Sequence, residues 1–420
     1  MSKAVTFTVH HRTYSPPARP VAVVCLDGSA DEYLDAAIAR GRMPNLVRMT
    51  ASGYRGKARG AMPSFTNVNN TSIVTGVPPA VHGIGGNFFY EADSGREVMM
   101  NSASFLRVET IFPAAQRAGR RVAVVTAKEK LRDIFAHELI AAGGIAFSSE
   151  KANQARMATH GIDEVEALAG PTPEIYSGEA SLYVLRAGVA LIEQDRADFL
   201  YLSTTDFMQH KFPPEAPEAL EFYAGIDALL GRLLDLGVVV GLTADHGMND
   251  KRKADGSPNV IYLETALNDR FGPGFRVILP ITDPYVVHHG ALGSFAQVHL
   301  PPSDARIAVP EVATWLLSLV GITEVHDRAT GARLLELPID RMGDIVVCAG
   351  RDVVLGRTVD YHDLKAIEGG LRSHGGRYEE MVPFILSEAP RPEYLARARA
   401  DVRNFDIFEF TCNAGVKSEG

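Results

Sequence analysis

The chain has 420 residues, 46% of them hydrophobic, and carries 42 basic and 51 acidic residues for a net charge of −9. This length suits one large domain with insertions, or two domains. The acidic balance, without any run rich in lysine or arginine, argues against nucleic acid as a partner. No stretch approaches the ~20 apolar residues that span a bilayer and the N-terminus has no hydrophobic leader, so we expect no membrane attachment.

The cysteine content favours a reducing compartment. Cys25, Cys348 and Cys412 are far apart in the sequence and cannot all pair. Reduced thiols are the simplest interpretation, and they predict a cytoplasmic protein.

The first predicted strand delivers an acid to its C-terminal end. Residues 21–26 are a continuous apolar run followed by Asp27, a pattern typical of a buried parallel strand. Helices are predicted at 32–40, with Asp31 as the cap, and at 44–53.

Thr66 lies in a polar turn at 62–70, before an apolar helix at 71–75. A threonine near a helix N-terminus is usually a cap. It can also be a nucleophile, because the helix dipole and free N–H groups favour its anionic form. Both interpretations stand at this point.

The glycine-rich loop at 76–87 completes no nucleotide fingerprint, so a dinucleotide site is rejected.

A second strand, at 121–126, runs directly into Lys128 and Lys130. Lysines in this position are most often solvated residues at the start of a helix. If a crevice lies at the strand ends, they could instead hold an anionic group of the substrate. Helices are predicted at 155–169 and 178–195.

Two further strands end in groups that can bind metal. Asp206 and His210 follow the strand at 199–203, and their four-residue spacing puts them on one face of a helical turn. After a long helix at 215–236, the strand at 237–242 leads into Asp245 and His246. Either pair alone could be a helix cap or a surface contact; together they suggest ligands at one sheet edge.

Beyond residue 248 the pattern changes. Residues 249–365 contain one clear helix, at 309–320, and short β-like runs at 259–263, 275–279, 295–300, 344–348 and 352–355. We expect a small α+β cap insertion there, with residues 1–248 and 366–420 forming the core domain. His374 is framed by glycines that permit close approach to a ligand, and a last core strand is predicted at 382–386. The fold class is therefore α/β, a mostly parallel sheet between helices with a smaller α+β cap.

The candidate side chains for chemistry are spread over the whole chain. They are Asp27, Thr66, Asp206, His210, Asp245, His246 and His374. Six nitrogen or oxygen ligands and a hydroxyl are too many for one tetrahedral zinc, but they suit two ions a few ångströms apart. The absence of cysteine from the set argues against a purely structural zinc.

As an ordered set, these motifs resemble the alkaline phosphatase superfamily, and within it the nucleotide pyrophosphatase/phosphodiesterase-like branch. The motifs that carry the resemblance are Leu26-Asp27-Gly28, Pro63 to Thr66 with Asn69, His82-Gly83-Ile84 with Asn87, Asp206 with His210, Thr243 to Met248, and Ser373 to Gly376. The resemblance covers most of the chain outside 249–365.

The resemblance implies an alkaline phosphatase-like core and two Zn²⁺ ions per chain. Asp206, His210 and His374 would bind one ion. The other ion would be held by Asp27, Thr66, Asp245 and His246. It further implies that Thr66 attacks phosphorus to form a phospho-threonine, and that Asn87 holds a phosphoryl oxygen.

The same resemblance suggests a substrate. Lys128 and Lys130 are similar to a pair in members that cleave the carbon–phosphorus bond of phosphonoacetate, a small molecule whose carboxylate such cations would grip. The alternatives are a phosphodiesterase or nucleotide pyrophosphatase of the same fold, and a metal-independent mutase-like or binding protein whose acids and histidines are structural. The sequence leaves open the roles of Arg276, His288 and His289 and the oligomeric state, a homodimer being one candidate.

Overall fold

The computed structural model describes residues 5–91, 93–281, 290–302, 307–367 and 370–415. His288 and His289 lie outside the described residues. The strands, in chain order, are β1 Phe7–Val9, β2 Arg12–Tyr14, β3 Val21–Cys25, β4 Tyr54–Arg59, β5 Phe88–Glu91, β6 Arg96–Met99, β7 Val122–Thr126, β8 Ile145–Ser148, β9 Phe199–Ser203, β10 Val239–Thr243, β11 Asn249–Asp250, β12 Val260–Tyr262, β13 Arg276–Ile278, β14 Phe295–His299, β15 Ile322–Asp327, β16 Ile345–Ala349, β17 Val354–Gly356, β18 Arg372–Ser373 and β19 Met381–Leu386.

The helices alternate with the strands along most of the chain. They are α1 Asp31–Ala39, α2 Pro44–Ser52, α3 Thr66–Thr75, α4 Pro79–His82, α5 Ile111–Arg117, α6 Glu129–Phe135, α7 Met157–His160, α8 Val165–Ala169, α9 Gly178–Glu193, α10 Phe207–Lys211, α11 Pro217–Asp235, α12 Leu263–Phe271, α13 Val309–Leu317, α14 Arg328–Leu334, α15 Pro392–Ala400 and α16 Ile407–Asn413. None of the described helices combines the length and the apolar character needed to cross a membrane.

Seven strands form one central sheet in the order β4-β19-β10-β3-β9-β7-β8. The five strands from β10 to β8 pair in parallel, and β19 and β4 are added antiparallel at one edge. Every residue of β3, β7, β9 and β10 is buried, as expected of parallel strands covered on both faces. This confirms the mostly parallel α/β core.

Helices cover both faces of the sheet. Ala22 and Val24 of β3 pack in one layer with α1, α2, α9 and α11. The intervening residues, Val21, Val23 and Cys25, pack in the other layer with α3, α5, α6 and α16. The two-residue period of the strand thus divides one apolar run between two cores. Cys25, like the two other cysteines of the sequence, is a buried free thiol.

The cap is a separate α+β layer. It contains a four-stranded antiparallel sheet, β13-β14-β16-β15, and the parallel pair β12–β17, with α12, α13 and α14 around them. Its hydrophobic cluster includes Phe65 and Val68, so the cap packs directly on the segment that carries Thr66. β11 pairs with β18 where the chain leaves and re-enters the core, while the limits 249 and 365 remain a prediction.

Several predicted element boundaries are wrong. The helix predicted at 71–75 begins at Thr66, because Asn69 and Asn70 satisfy their amides inside the fold instead of forming a turn. The helix predicted at 155–169 is two short helices, because Gly161 (φ 69°) ends the first.

The cap contains more helix than predicted. It has three α-helices among its described residues, where one helix was expected. Leu263, expected in a strand, starts α12, and Asp327 caps α14 by accepting from the N–H of Thr330 (2.9 Å). The edge strand β4 was not predicted at all.

Candidate metal centre

Acidic and imidazole side chains converge at the C-terminal edge of the central sheet. β10, β3 and β9 are neighbours, and their final residues lie side by side in register. The groups that follow these strands are Asp27 after β3, Asp206 after β9, and Asp245 with His246 after β10. Because parallel strands end at the same edge, residues distant in sequence meet in one crevice.

The first group, the Asp206 cluster, consists of Asp206, His210 and His374, all buried. Each offers a ligand atom, and these atoms lie within 4.8 Å of one another. Nε2 of His210 is 2.9 Å and Nε2 of His374 is 3.6 Å from Oδ2 of Asp206. Asp206 is the N-cap residue of α10 and His210 lies one turn further, so the helix sets their spacing.

The second group, the Asp27 cluster, shares Asp206 and adds Asp27 and His246, again within 4.8 Å. Nε2 of His246 is 3.3 Å from Oδ1 of Asp27 and 3.9 Å from Oδ2 of Asp206. Oδ2 of Asp245 lies 3.8 Å from the same nitrogen, and Oγ1 of Thr66 lies 3.2 Å from it. The structure therefore brings together every ligand candidate of the sequence.

Backbone carbonyls orient all three histidines. Their Nδ1 atoms bond to the carbonyls of Arg372 for His210 (2.7 Å), Ser64 for His374 (2.8 Å) and Gly247 for His246 (2.9 Å). A carbonyl only accepts, so each Nδ1 carries a proton and Nε2 is the atom turned toward the carboxylates. This is the usual arrangement around metal-binding histidines.

Additional positive charge would stabilise the buried carboxylates of the centre. Both oxygens of Asp27 are buried and accept no hydrogen bond from a described residue. Burial, together with the charge of Asp27, raises the pKa of Asp245 well above its usual value. For Asp206, burial acts in the same direction, but Lys128 and His210 outweigh it and hold its pKa well below the usual value.

His246 supplies part of that positive charge. Burial disfavours its charged form, yet Asp245 and Asp27 outweigh burial and raise its pKa to about 10. A bound cation would take the place of this proton. The buried set of carboxylate oxygens and imidazole nitrogens fits divalent metal ions.

Thr66 is the first residue of α3 and is 8% exposed, at the end of the helix where free N–H groups and the dipole favour an anion. One turn along the same helix, Nδ2 of Asn70 donates to Oδ2 of Asp245 (2.9 Å). Tyr201 and Ser203 donate in turn to Oδ1 of Asn70, each at 2.7 Å. Asn70 was missed in the sequence, although its four-residue spacing from Thr66 was the signal for a shared face.

The two lysines differ in their placement. Nζ of Lys128 is 3.3 Å from Oδ1 of Asp206 and 3.8 Å from Oδ2 of Asp27, so its charge borders both clusters. Lys130 lies in the first turn of α6 and is partly buried.

Asn87 and Arg276 both contact other parts of the chain. The backbone N–H of Asn87 donates to Pro280 (2.7 Å), and its buried Oδ1 accepts no hydrogen bond from a described residue. Arg276 bonds to Glu97 (3.2 Å) and lies over the ring of Tyr90. These two side-chain contacts are with the β5–β6 hairpin.

Comparisons with known proteins identify the relatives of this chain. The chain matches the family of type I phosphodiesterase / nucleotide pyrophosphatase over residues 21–361. It is 48% and 47% identical to a phosphonoacetate hydrolase from Sinorhizobium meliloti 1021, crystallised with phosphonoformate and with phosphonoacetate. Both matches cover 99% of this chain and 100% of that one, with a TM-score of 0.91.

More distant relatives match the chain at lower identity. Ectonucleotide pyrophosphatase/phosphodiesterase family member 1 of Mus musculus is 24% identical over 279 residues, which are 61% of this chain and 27% of that protein. The chain therefore spans about a quarter of that relative's length. Murine ectonucleotide pyrophosphatase / phosphodiesterase 5 is 18% identical, with a TM-score of 0.62 over 96% of this chain and 97% of that one. From the family match and the nearly full-length similarity, the chain belongs to the type I phosphodiesterase / nucleotide pyrophosphatase family, with an alkaline phosphatase-like fold, in the branch of the phosphonoacetate hydrolases.

Proposed function

We propose that this chain hydrolyses the carbon–phosphorus bond of phosphonoacetate to acetate and phosphate, with Thr66 as the nucleophile and two zinc ions. One observation carries the proposal. Thr66 lies beside two buried Asp/His clusters, in a chain 47% identical over 99% of its length to a hydrolase crystallised with phosphonoacetate.

The proposed ligands are the members of the two clusters, with Asp206 assigned to the first ion and with Thr66 and Asp245 added at the second. Asp206, His210 and His374 would hold one ion. The second would be held by Asp27, Thr66, Asp245 and His246. When bound, the ions would neutralise phosphonate oxygens as Lewis acids and lower the pKa of the hydroxyl that they touch.

The remaining chemistry belongs to the protein's own side chains. The Thr66 hydroxyl gives up its proton to solvent and the alkoxide attacks phosphorus, while the electrons of the broken C–P bond pass to the carboxymethyl group. Its carboxylate delocalises them as an enolate, which takes a proton from water to become acetate. Water then cleaves the phospho-threonine and releases phosphate. Lys128 and Lys130 would hold the substrate carboxylate as charge develops, and Asn87 a phosphoryl oxygen.

A direct assay tests the proposal. The zinc-loaded protein should release phosphate from phosphonoacetate much faster than it releases nitrophenol from a nitrophenyl phosphodiester. The family match favours a phosphodiesterase as the second candidate. The opposite preference in this assay would establish that alternative, and turnover of neither compound would contradict both.

Three smaller expectations accompany the proposal. A small-molecule phosphonate, without nucleic acid, is the expected partner. A cytoplasmic location is supported by three buried free thiols. A homodimer remains a candidate that light scattering on the purified protein would test.

A further inference from the structure

A buried ion pair lies beside the metal centre. The side chains of Lys251 and Glu379 are both 0% exposed, and Nζ lies 2.8 Å from Oε1. Lys251 also donates to the carbonyl of Arg351 (2.6 Å), and Nδ2 of Asn249 donates to Oε1 of Glu379 (2.6 Å). Removing one partner of such a pair leaves an uncompensated buried charge, so the two residues act as a unit.

Glu379 holds two segments of the metal centre at once. Its Oε2 accepts from the N–H of Gly376 (3.0 Å), two residues after His374. Its backbone carbonyl accepts from the N–H of Gly247 (2.8 Å), the residue after His246. Lys251, four residues beyond Gly247, binds the same carboxylate and completes the connection.

The two histidines joined in this way belong to different clusters. The rings of His246 and His374 are parallel within 6°, with centroids 3.5 Å apart. His374 is a member of the Asp206 cluster and His246 of the Asp27 cluster. The spacing between their segments therefore sets the spacing between the clusters.

We propose that the Lys251–Glu379 ion pair is a positioning device that fixes the separation of the two metal ions by tying the His246 segment to the His374 segment. The inference rests on the proposed function only in requiring two ions. Without the pair, each histidine would keep its own cluster, but the two clusters would no longer be held in register.

A purely structural role for the pair predicts a different result. Lys251 directly follows β11, at the start of the predicted cap, so a structural role means that its loss only weakens the fold. Arg120 and Asp198 form a matched control pair, with side chains 1% and 14% exposed and Nε 2.8 Å from Oδ1. They precede β7 and β9, at the opposite edge of the sheet.

The test measures Mn²⁺ binding to the full chain by equilibrium dialysis, and the magnetic coupling between bound ions by electron paramagnetic resonance. Lys251→Met and Glu379→Gln should each weaken binding of the second ion at least tenfold and reduce the coupling, which falls steeply with distance. Arg120→Met should lower thermal stability while ion binding and coupling stay at wild-type values. The double variant, which combines Lys251→Met with Glu379→Met, removes both charges together and serves for the same measurements if the single variants fail to fold.

The outcomes separate this inference from the proposed function. Wild-type protein that binds fewer than two ions contradicts the two-metal part of the proposed function, and this inference with it. Wild-type protein with two coupled ions, and variants with the same affinity and coupling, overturn the positioning role alone. Loss of coupling in the Lys251 and Glu379 variants but not in Arg120→Met supports it.

Discussion

At the scale of single residues, Thr66 combines a helix N-terminus with a hydroxyl 3.2 Å from Nε2 of His246. Thr66→Ala should reduce phosphate release from phosphonoacetate at least a thousandfold, because no other group would form the phospho-intermediate. Metal content, measured by elemental analysis, should stay at the wild-type level because the Asp and His ligands remain.

Thr75→Ala is the matched control for Thr66→Ala. Thr75 lies at the other end of α3, where its hydroxyl donates to the carbonyl of Thr71 (2.7 Å). Its loss should cost about 1 kcal/mol of stability without affecting turnover. Near-wild-type turnover in Thr66→Ala would remove Thr66 from the role of nucleophile.

The two lysines should be separable by substrate. Lys130→Ala should raise KM for phosphonoacetate while sparing a nitrophenyl phosphate that lacks the carboxylate. Lys128 also borders Asp206 and Asp27, so Lys128→Ala should impair both substrates, phosphonoacetate the more strongly. Steady-state kinetics on the two substrates checks this, with the exposed Lys253→Ala as the control. Equal losses on both substrates in Lys130→Ala would contradict a carboxylate-binding role.

His82 should make the fold sensitive to acid. Burial, and then the nearby charges of Arg107 and Arg341, lower its pKa to about 3. As pH falls below 6.5 the unfolded chain takes up the proton first, so the stability is present above pH 6.5 and is lost toward pH 3. The stability advantage of wild type over His82→Gln should shrink by about 2 kcal/mol between pH 7 and pH 5.

Denaturant unfolding at the two pH values measures the effect of His82. The exposed His137→Gln, which removes a histidine from the surface, is the control variant measured at the same two pH values. If the difference in unfolding free energy between wild type and His82→Gln does not change with pH, His82 titrates equally in the folded and unfolded chain.

At the scale of elements, α3 offers two adjacent buried asparagines with different partners. Asn70 binds Asp245, whereas Asn69 bonds to both backbone groups of Ala61 (2.7 and 2.9 Å). Asn70→Ala should lower metal affinity about 10- to 100-fold, as expected when a group that orients a metal ligand is lost. Asn69→Ala should lose comparable stability, about 1–3 kcal/mol, with unchanged metal affinity. Metal titration and thermal unfolding of both variants measure these effects. Equal losses of metal affinity in the two variants would contradict a specific role for Asn70.

The elements that carry the proposed metal ligands could be predicted because each is a buried parallel strand with an apolar run and an abrupt polar end. β3, β9 and β10 have this pattern, and Asp27, Asp206 and Asp245 follow from it. β4 could not be predicted, because this antiparallel edge strand is polar and only one of its six residues is fully buried. The proposed roles of Asn70 and Glu379 could not be predicted for another reason. They depend on partners far along the chain, and a local sequence pattern contains no such information.

At the scale of the whole molecule, metal ions should stabilise the fold, since buried acids from three strands repel one another without them. Removal of zinc with a chelator should lower the melting temperature, and re-addition should restore it, with about 2.7 kcal/mol gained per site at one hundred times the dissociation constant. Calorimetry with and without zinc measures this. His374→Ala should reduce the zinc content and make the melting temperatures with and without zinc more alike. An unchanged zinc content would mean that His374 is not a ligand.

The position of β3 between β9 and β10 has a consequence for the synthesis and folding of the protein. Its two neighbours lie roughly 180 and 220 residues further along the chain, and His374 lies further still. On a ribosome, which releases the N-terminus first, Asp27 emerges long before any partner that could share an ion with it. A nascent or truncated chain would therefore present scattered carboxylates and retain no metal. Firm retention of the ions would distinguish molecules whose synthesis and folding are complete.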